Sequence, residues 1–217
     1  GVVEQFRGQM EAAQEYYERA GRIAQETANS RLTALVEQNL ATLATVRGDY
    51  EAALDHNRNA LAMFRGLGEQ LSSARAMNNI GTLHADMGEH GHAELSFRGA
   101  HTLAERFGDA GLAVKVQTNR ADLALRKQDY DKALEFCDVV FREYTRLGSE
   151  SGLSETYKLY GMLYRETGNS ALAKTHLTLA LKLAQTCGDR LLEAESERER
   201  ALLHMQEGRN REALSAL

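Results

Sequence analysis

Proline is missing from this 217-residue chain, and so is tryptophan. Proline ordinarily supplies about 5% of residues, and its absence suits continuous helices joined by glycine turns. Only two cysteines occur, Cys137 and Cys187. Their separation matches no zinc or redox motif, so they read as small reduced residues, and a cytoplasmic setting follows. No run of lysine and arginine offers the clustered cationic face that phosphate binding needs. The net charge of -5 points the same way, so no nucleic-acid partner is expected for this segment. No apolar stretch approaches the ~18 residues of a membrane span. The opening "GVVEQFRGQM" lacks the basic start and apolar core of a signal peptide.

Catalytic signatures are missing as well. There is no G-x-G-x-x-G, no phosphate-cradling G-x-x-x-x-G-K, no H-E-x-x-H and no G-x-S-x-G. The serines of "GSESG" (148–152) are misplaced for a nucleophile elbow, and Gly148 has a structural reason to stand at a turn. In "EAESERERALL" (193–203) acids and bases alternate along a helix, which reads as a solvated, salt-bridged face. We therefore expect no catalytic residues, no cofactor and no enzyme.

What is present is a repeat. The segments "RGQMEAA", "RGDYEAA", "MGEHGHA", "KQDYDKA", "TGNSALA" and "EGRNREA" place Gly8, Gly48, Gly88, Gln128, Gly168 and Gly208 at a constant step. Five residues after each stands an alanine, from Ala13 to Ala213. Seven further stand Ala20, Ala60, Ala100, Val140 and Ala180. Seven residues before the turn stand Gly1, Ala41, Gly81, Ala121, Gly161 and Ala201, and five before it Leu43, Leu83, Leu123, Leu163 and Leu203. A second glycine recurs at Gly68, Gly108, Gly148 and Gly188. Each unit thus reads as helix, glycine turn, helix, glycine turn, because glycine past a helix end adopts positive φ without strain. Small residues let two helices approach, and the leucine fills the seam. One pair cannot bury its own apolar faces, so neighbours must stack.

The pattern resembles the tetratricopeptide repeat, most fully in "NNIGTLHADMGEHGHAELSFRGAHTL" and "YKLYGMLYRETGNSALAKTHLTLALKL". Standard units have about 34 residues; these step from Gly48 to Gly88 and carry no proline. That longer type is similar to the arrays of spindle adaptors, kinesin light chains and bacterial regulators of the MalT and Rap types. The resemblance implies an all-α, right-handed α-solenoid of antiparallel helix pairs. It predicts a single array over 1–217, with a partial unit 1–33, units 34–73, 74–113, 114–153 and 154–193, and a partial unit 194–217. Both ends lack a polar cap, which reads as a fragment of a longer protein.

Three of the seven histidines, His84, His90 and His92, fall close together. His90 sits where other units hold Met10, Tyr50, Tyr130, Ser170 and Asn210; His84 sits where they hold Ala44, Ala124, Tyr164 and His204. Both are packing positions. His90 and His92 lie two apart on a helix, about 200° around its axis, and cannot readily grip one ion. No metal site is expected.

In such arrays, the resemblance implies, the first helices line a concave groove and their sixth position faces it. Here that position holds Asn39, Asn79 and Asn119, then Leu159 and Glu199. An Asn side chain carries a donor and an acceptor, so the ladder can hold a peptide backbone. The competing role is to tie neighbouring first helices together. Arg75, Asn78, Thr82, Lys115, Asp122 and Lys158 lie nearby and make the expected groove mildly cationic, suited to an acidic or C-terminal peptide. The Lys–Asn carboxylate clamp of chaperone-binding arrays has no match. Arg120 and Arg200 fall on a slot otherwise apolar, where an adjacent polar or acidic side chain can satisfy them. The function expected is a peptide- or protein-binding scaffold, the sensor or adaptor part of a regulator; the alternative is a module that self-associates through its ends.

Overall fold

The computed structural model describes residues 10–210 and Ala213. Gly1, Gly8 and the rest of the closing "REALSAL" lie outside the described residues. Ten helices and no strand occur among the described residues. The chain divides into two compact units, one ending at Ala113 and the other beginning at Val114. The first holds α1 (Met10–Glu26), α2 (Ser30–Val46), α3 (Tyr50–Gly66), α4 (Gln70–Asp86) and α5 (His90–Arg106). Helix α6 (Ala110–Arg126) starts in its last residues. The second unit continues with α7 (Tyr130–Leu147), α8 (Glu150–Glu166), α9 (Ser170–Cys187) and α10 (Arg190–Gln206). Within each unit consecutive helices pack on one another, and in the second the first-type helices α8 and α10 also touch.

The turns follow from one hydrogen-bond pattern. The Gly48 amide donates to Thr45 O at 3.0 Å and the Asp49 amide to Ala44 O at 2.9 Å, which is a Schellman closure around a left-handed residue. Gly48, Gly88, Gly168 and Gly208 all have positive φ. Gln128 stands at the same position and adopts φ 59° itself, as does Ala28, at φ 50°, in the other turn series. The residue after most turns caps the next helix: Asp49, Asp129, Asn169 and Asp189 each accept from the backbone amide three residues on.

The recurring small and leucine positions form the seams. Leu43, Leu83, Leu123, Leu163 and Leu203 are all buried, as are Ala53, Ala93, Ala133 and Ala173. Burying each leucine contributes about 1.5–3 kcal/mol. A Cβ added at Gly81 would lie 2.6 Å from a Phe97 ring carbon, and one at Gly161 would lie 2.5 Å from the Leu177 side chain. The absence of a side chain at these two positions is what admits the large partner opposite.

Candidate functional site

In the first unit, a cleft of about 210 Å³ opens between α2 and α4, with α3 at its floor. Its polar wall is Thr42, Thr45, Asn57, Asn79 and Thr82, and its apolar wall is Val46 and Leu83. Asn79 therefore lines a cavity, and no protein hydrogen bond to its side chain occurs among the described residues. The threonine hydroxyls donate back along their own helices: Thr42 to Gln38 O at 3.1 Å, Thr45 to Ala41 O at 2.9 Å, and Thr82 to Asn78 O at 3.2 Å. Their protons are thus taken, and what they offer the cleft is oxygen lone pairs.

Asn57 completes the set. It is 2% exposed, and its Nδ2 donates to Ala53 O at 3.0 Å. Its buried Oδ1 has no hydrogen-bond partner among the described residues. An unmet buried acceptor costs about 1–3 kcal/mol. The cleft therefore offers threonine oxygens as acceptors beside the Asn79 amide, which can both donate and accept.

The sequence reading missed Asn57, although a signal was available. The equivalent residues of the other second helices are Tyr17, Phe97, Cys137 and Leu177, all buried and all far less polar. An asparagine in that series is out of character.

The residues expected in the groove are placed as follows. Asn39 is half-buried, and its Nδ2 donates to Leu35 O of its own helix at 2.8 Å, so it does not tie helices together. Asn78 is buried, at 8% exposure. Arg75 pairs with Asp109 at 2.7 Å. In the second unit Asn119 is half-buried, and Lys115 holds both carboxylate oxygens of Glu155 at 2.8 Å. Lys158, largely buried, pairs with Glu195. Asp122 pairs with Arg126 at 2.7 Å. The expected cationic lining is therefore neutralised: each cation is met by a carboxylate from a later element, a partner that inspection of one helix at a time cannot reveal. Leu159 and Glu199, at the ladder position of the second unit, are each 2% exposed and belong to its interior.

Arg120 lies 3.1 Å from Gln117 and over the Phe136 ring, and Arg200 lies 3.1 Å from Glu197. Each arginine, half-buried, thus meets a polar side chain one turn earlier on its own helix. Cys137 is buried and free, and burial pushes its thiol up to about 12. Cys187 is exposed and free. No helix among the described residues is long and apolar enough to cross a membrane.

A family model of the tetratricopeptide repeat matches residues 1–66, 30–106 and 112–186. No curated protein matches. Solved structures share the fold at low identity. The apo form of RapI is 17% identical with a TM-score of 0.83, over 99% of this chain and 77% of that one. The Rap conjugation gene regulator of the plasmid pLS20, solved with the Phr* peptide, is 18% identical with a TM-score of 0.82, over 99% and 59%. Aspartyl phosphate phosphatase F from Bacillus subtilis is 15% identical with a TM-score of 0.78, over 93% and 52%. This chain thus spans little more than half the length of the last two.

Proposed function

Because the chain belongs to the tetratricopeptide repeat family, we propose that it is a cytoplasmic, non-catalytic scaffold that binds an extended protein or peptide segment, as part of a regulator. The observation that carries this reading is the cleft in the first unit, lined by Asn57, Asn79 and three threonines. In this reading Asn79 and Asn57 grip the segment in the first unit, with Asn39 one repeat earlier on the same register. Asn119 does equivalent work in the second unit. The pLS20 regulator, which was solved with a peptide, supports a peptide as the kind of occupant.

The threonine oxygens and the Asn79 amide together favour an occupant that presents both N–H and C=O groups, such as a peptide backbone. Since Arg75, Lys115 and Lys158 are paired with carboxylates, an acidic segment gains less from them than their sequence positions imply. Within each unit these pairs link one element to a later one.

Peptides enriched by display on the 217-residue chain provide the test. Asn57→Leu copies the residue at Leu177 and removes the acceptor. It should leave helicity intact and weaken enriched peptides by roughly 5- to 150-fold, since leaving one buried hydrogen bond unmade costs about 1–3 kcal/mol. Asn79→Ala should act in the same direction. Unchanged affinity in both variants overturns the reading. Failure to enrich any peptide, together with concentration-dependent mass in sedimentation, favours self-association instead.

A further inference from the structure

Outside that cleft, one corner of the first unit gathers three side chains of metal-binding type. His84 lies in the last turn of α4, Glu89 immediately precedes α5, and His92 lies in the first turn of α5. The turn between them folds tightly, with the Glu89 amide donating to His84 O at 2.8 Å. This closure turns the chain so that side chains from both helices meet. His84 Nδ1 lies 2.5 Å from Glu89 Oε2, and His92 Nδ1 lies 3.4 Å from the same oxygen. The two rings are 5.2 Å apart at their centroids. One ligand atom from each of the three residues falls within 4.8 Å of the others.

The histidine pairing considered from sequence, His90 with His92, is not the one the turn creates. His84 comes from the preceding helix and meets His92 across the glutamate. Glu89 is also diverted from the usual task at its position. Where Asp49, Asp109, Asp129 and Asp189 accept from the third amide of the following helix, Glu89 makes no such cap. Its carboxylate faces the imidazoles instead.

We propose that His84, Glu89 and His92 form a binding site for a divalent transition metal of the zinc class. Two imidazoles and one carboxylate select zinc, cobalt or nickel over magnesium or calcium, which prefer oxygen ligands. Bonds of about 2.0–2.2 Å in a tetrahedron put ligand atoms roughly 3.3–3.6 Å apart. The Glu89–His92 separation of 3.4 Å already fits. The shorter His84–Glu89 contact is a direct hydrogen bond; a metal between the two replaces it and opens the pair by about 1 Å. His84 is largely buried and fixes the site to the core, whereas His92 and Glu89 are exposed and give access. Three protein ligands leave a fourth position for water or for a donor brought by a partner. The ion joins the end of one helix to the start of the next, and is independent of the peptide cleft.

Isothermal titration of the metal-free 217-residue chain with Zn²⁺, and cobalt absorption spectroscopy, test this in a Cys187→Ser background that removes the exposed thiol. The unsubstituted site should take one equivalent and raise the melting temperature, as any ligand of the folded state does. His92→Ala and Glu89→Ala, both at exposed positions, should each weaken binding at least tenfold while the metal-free melting temperature and helicity stay unchanged. Absence of saturable binding overturns the proposal. So does wild-type affinity in either variant, because scattered histidines would then be the ligands.

Discussion

The two units build different interiors on the same register. In the first, Thr45 of one first helix and Asn79 of the next flank a cleft. In the second, the residues at those two positions are Arg165 and Glu199, whose side chains meet at 2.9 Å and are 10% and 2% exposed. Asn57, the acceptor at the floor of the cleft, corresponds to Leu177, which is fully buried. Around it His176 packs against Tyr157, Tyr160 and Tyr164. A shared backbone therefore carries a hollow in one unit and a filled core in the other. A cavity in such a fold is a matter of which slots are left without bulk, not of a special loop.

The largest way to break that contrast is to empty the filled unit. Glu199→Ala leaves the Arg165 guanidinium buried with only Glu166, at 2.8 Å, as a carboxylate partner among the described residues. Removing one member of a buried pair costs about 3–5 kcal/mol, read as a shift in the urea midpoint. At the same register in the first unit, Asn79→Ala should cost under about 1 kcal/mol, because no protein partner is lost. Replacing both Arg165 and Glu199 by methionine should recover most of the loss, since apolar side chains of similar volume often match a buried ion pair. If Glu199→Ala proves as mild as Asn79→Ala, the filled and hollow interiors do not differ in energy and the contrast fails.

The turns allow a smaller comparison. Gly88 closes its turn at φ 76°, whereas Gln128 holds the equivalent position at φ 59°. A non-glycine residue in the left-handed region costs about 1–2 kcal/mol, partly offset by the greater freedom glycine has when unfolded. Gln128→Gly should therefore stabilise the second unit by about 0.5–1 kcal/mol by chemical denaturation. A destabilised variant would mean that the Gln128 side chain supports the turn.

The legible part of this molecule is the part fixed by local rules. The repeat period, the turn positions and the leucine seam follow from glycine, alanine and leucine recurring at constant offsets. Their structural consequences appear at Gly48, Leu83 and Ala133 as the spacing requires. The site was less legible, because it depends on side chains from several helices at once. Asn79 lines the cleft, but Asn78, its neighbour in sequence, is buried. Arg75 reads as an available cation until Asp109 is brought beside it by the next turn. His84 and His92 read as packing residues until the turn at Gly88 sets Glu89 between them. Each of these depends on pairing across elements, which periodicity does not encode.

The smallest expected effect concerns the filled unit's aromatic nest. The His176 ring lies 5.1 Å from Tyr160, 5.2 Å from Tyr164 and 5.8 Å from Tyr157, and its Nδ1 is buried with no hydrogen-bond partner among the described residues. Burial disfavours the imidazolium and lowers the His176 pKa. An unfolded histidine titrates near pH ~6.5. Above that value both states are neutral and the nest contributes fully. As pH falls, the unfolded chain takes up a proton that the folded chain resists, so stability declines until the folded pKa is passed. His176→Phe keeps the ring and removes the titration. Its melting temperature should fall less than the wild type's between pH 7.5 and 5.5, while carboxylate titrations common to both proteins cancel in the difference. Equal slopes in the two proteins would mean that solvent already reaches the imidazole, and that the second unit is less tightly filled than its side-chain contacts imply.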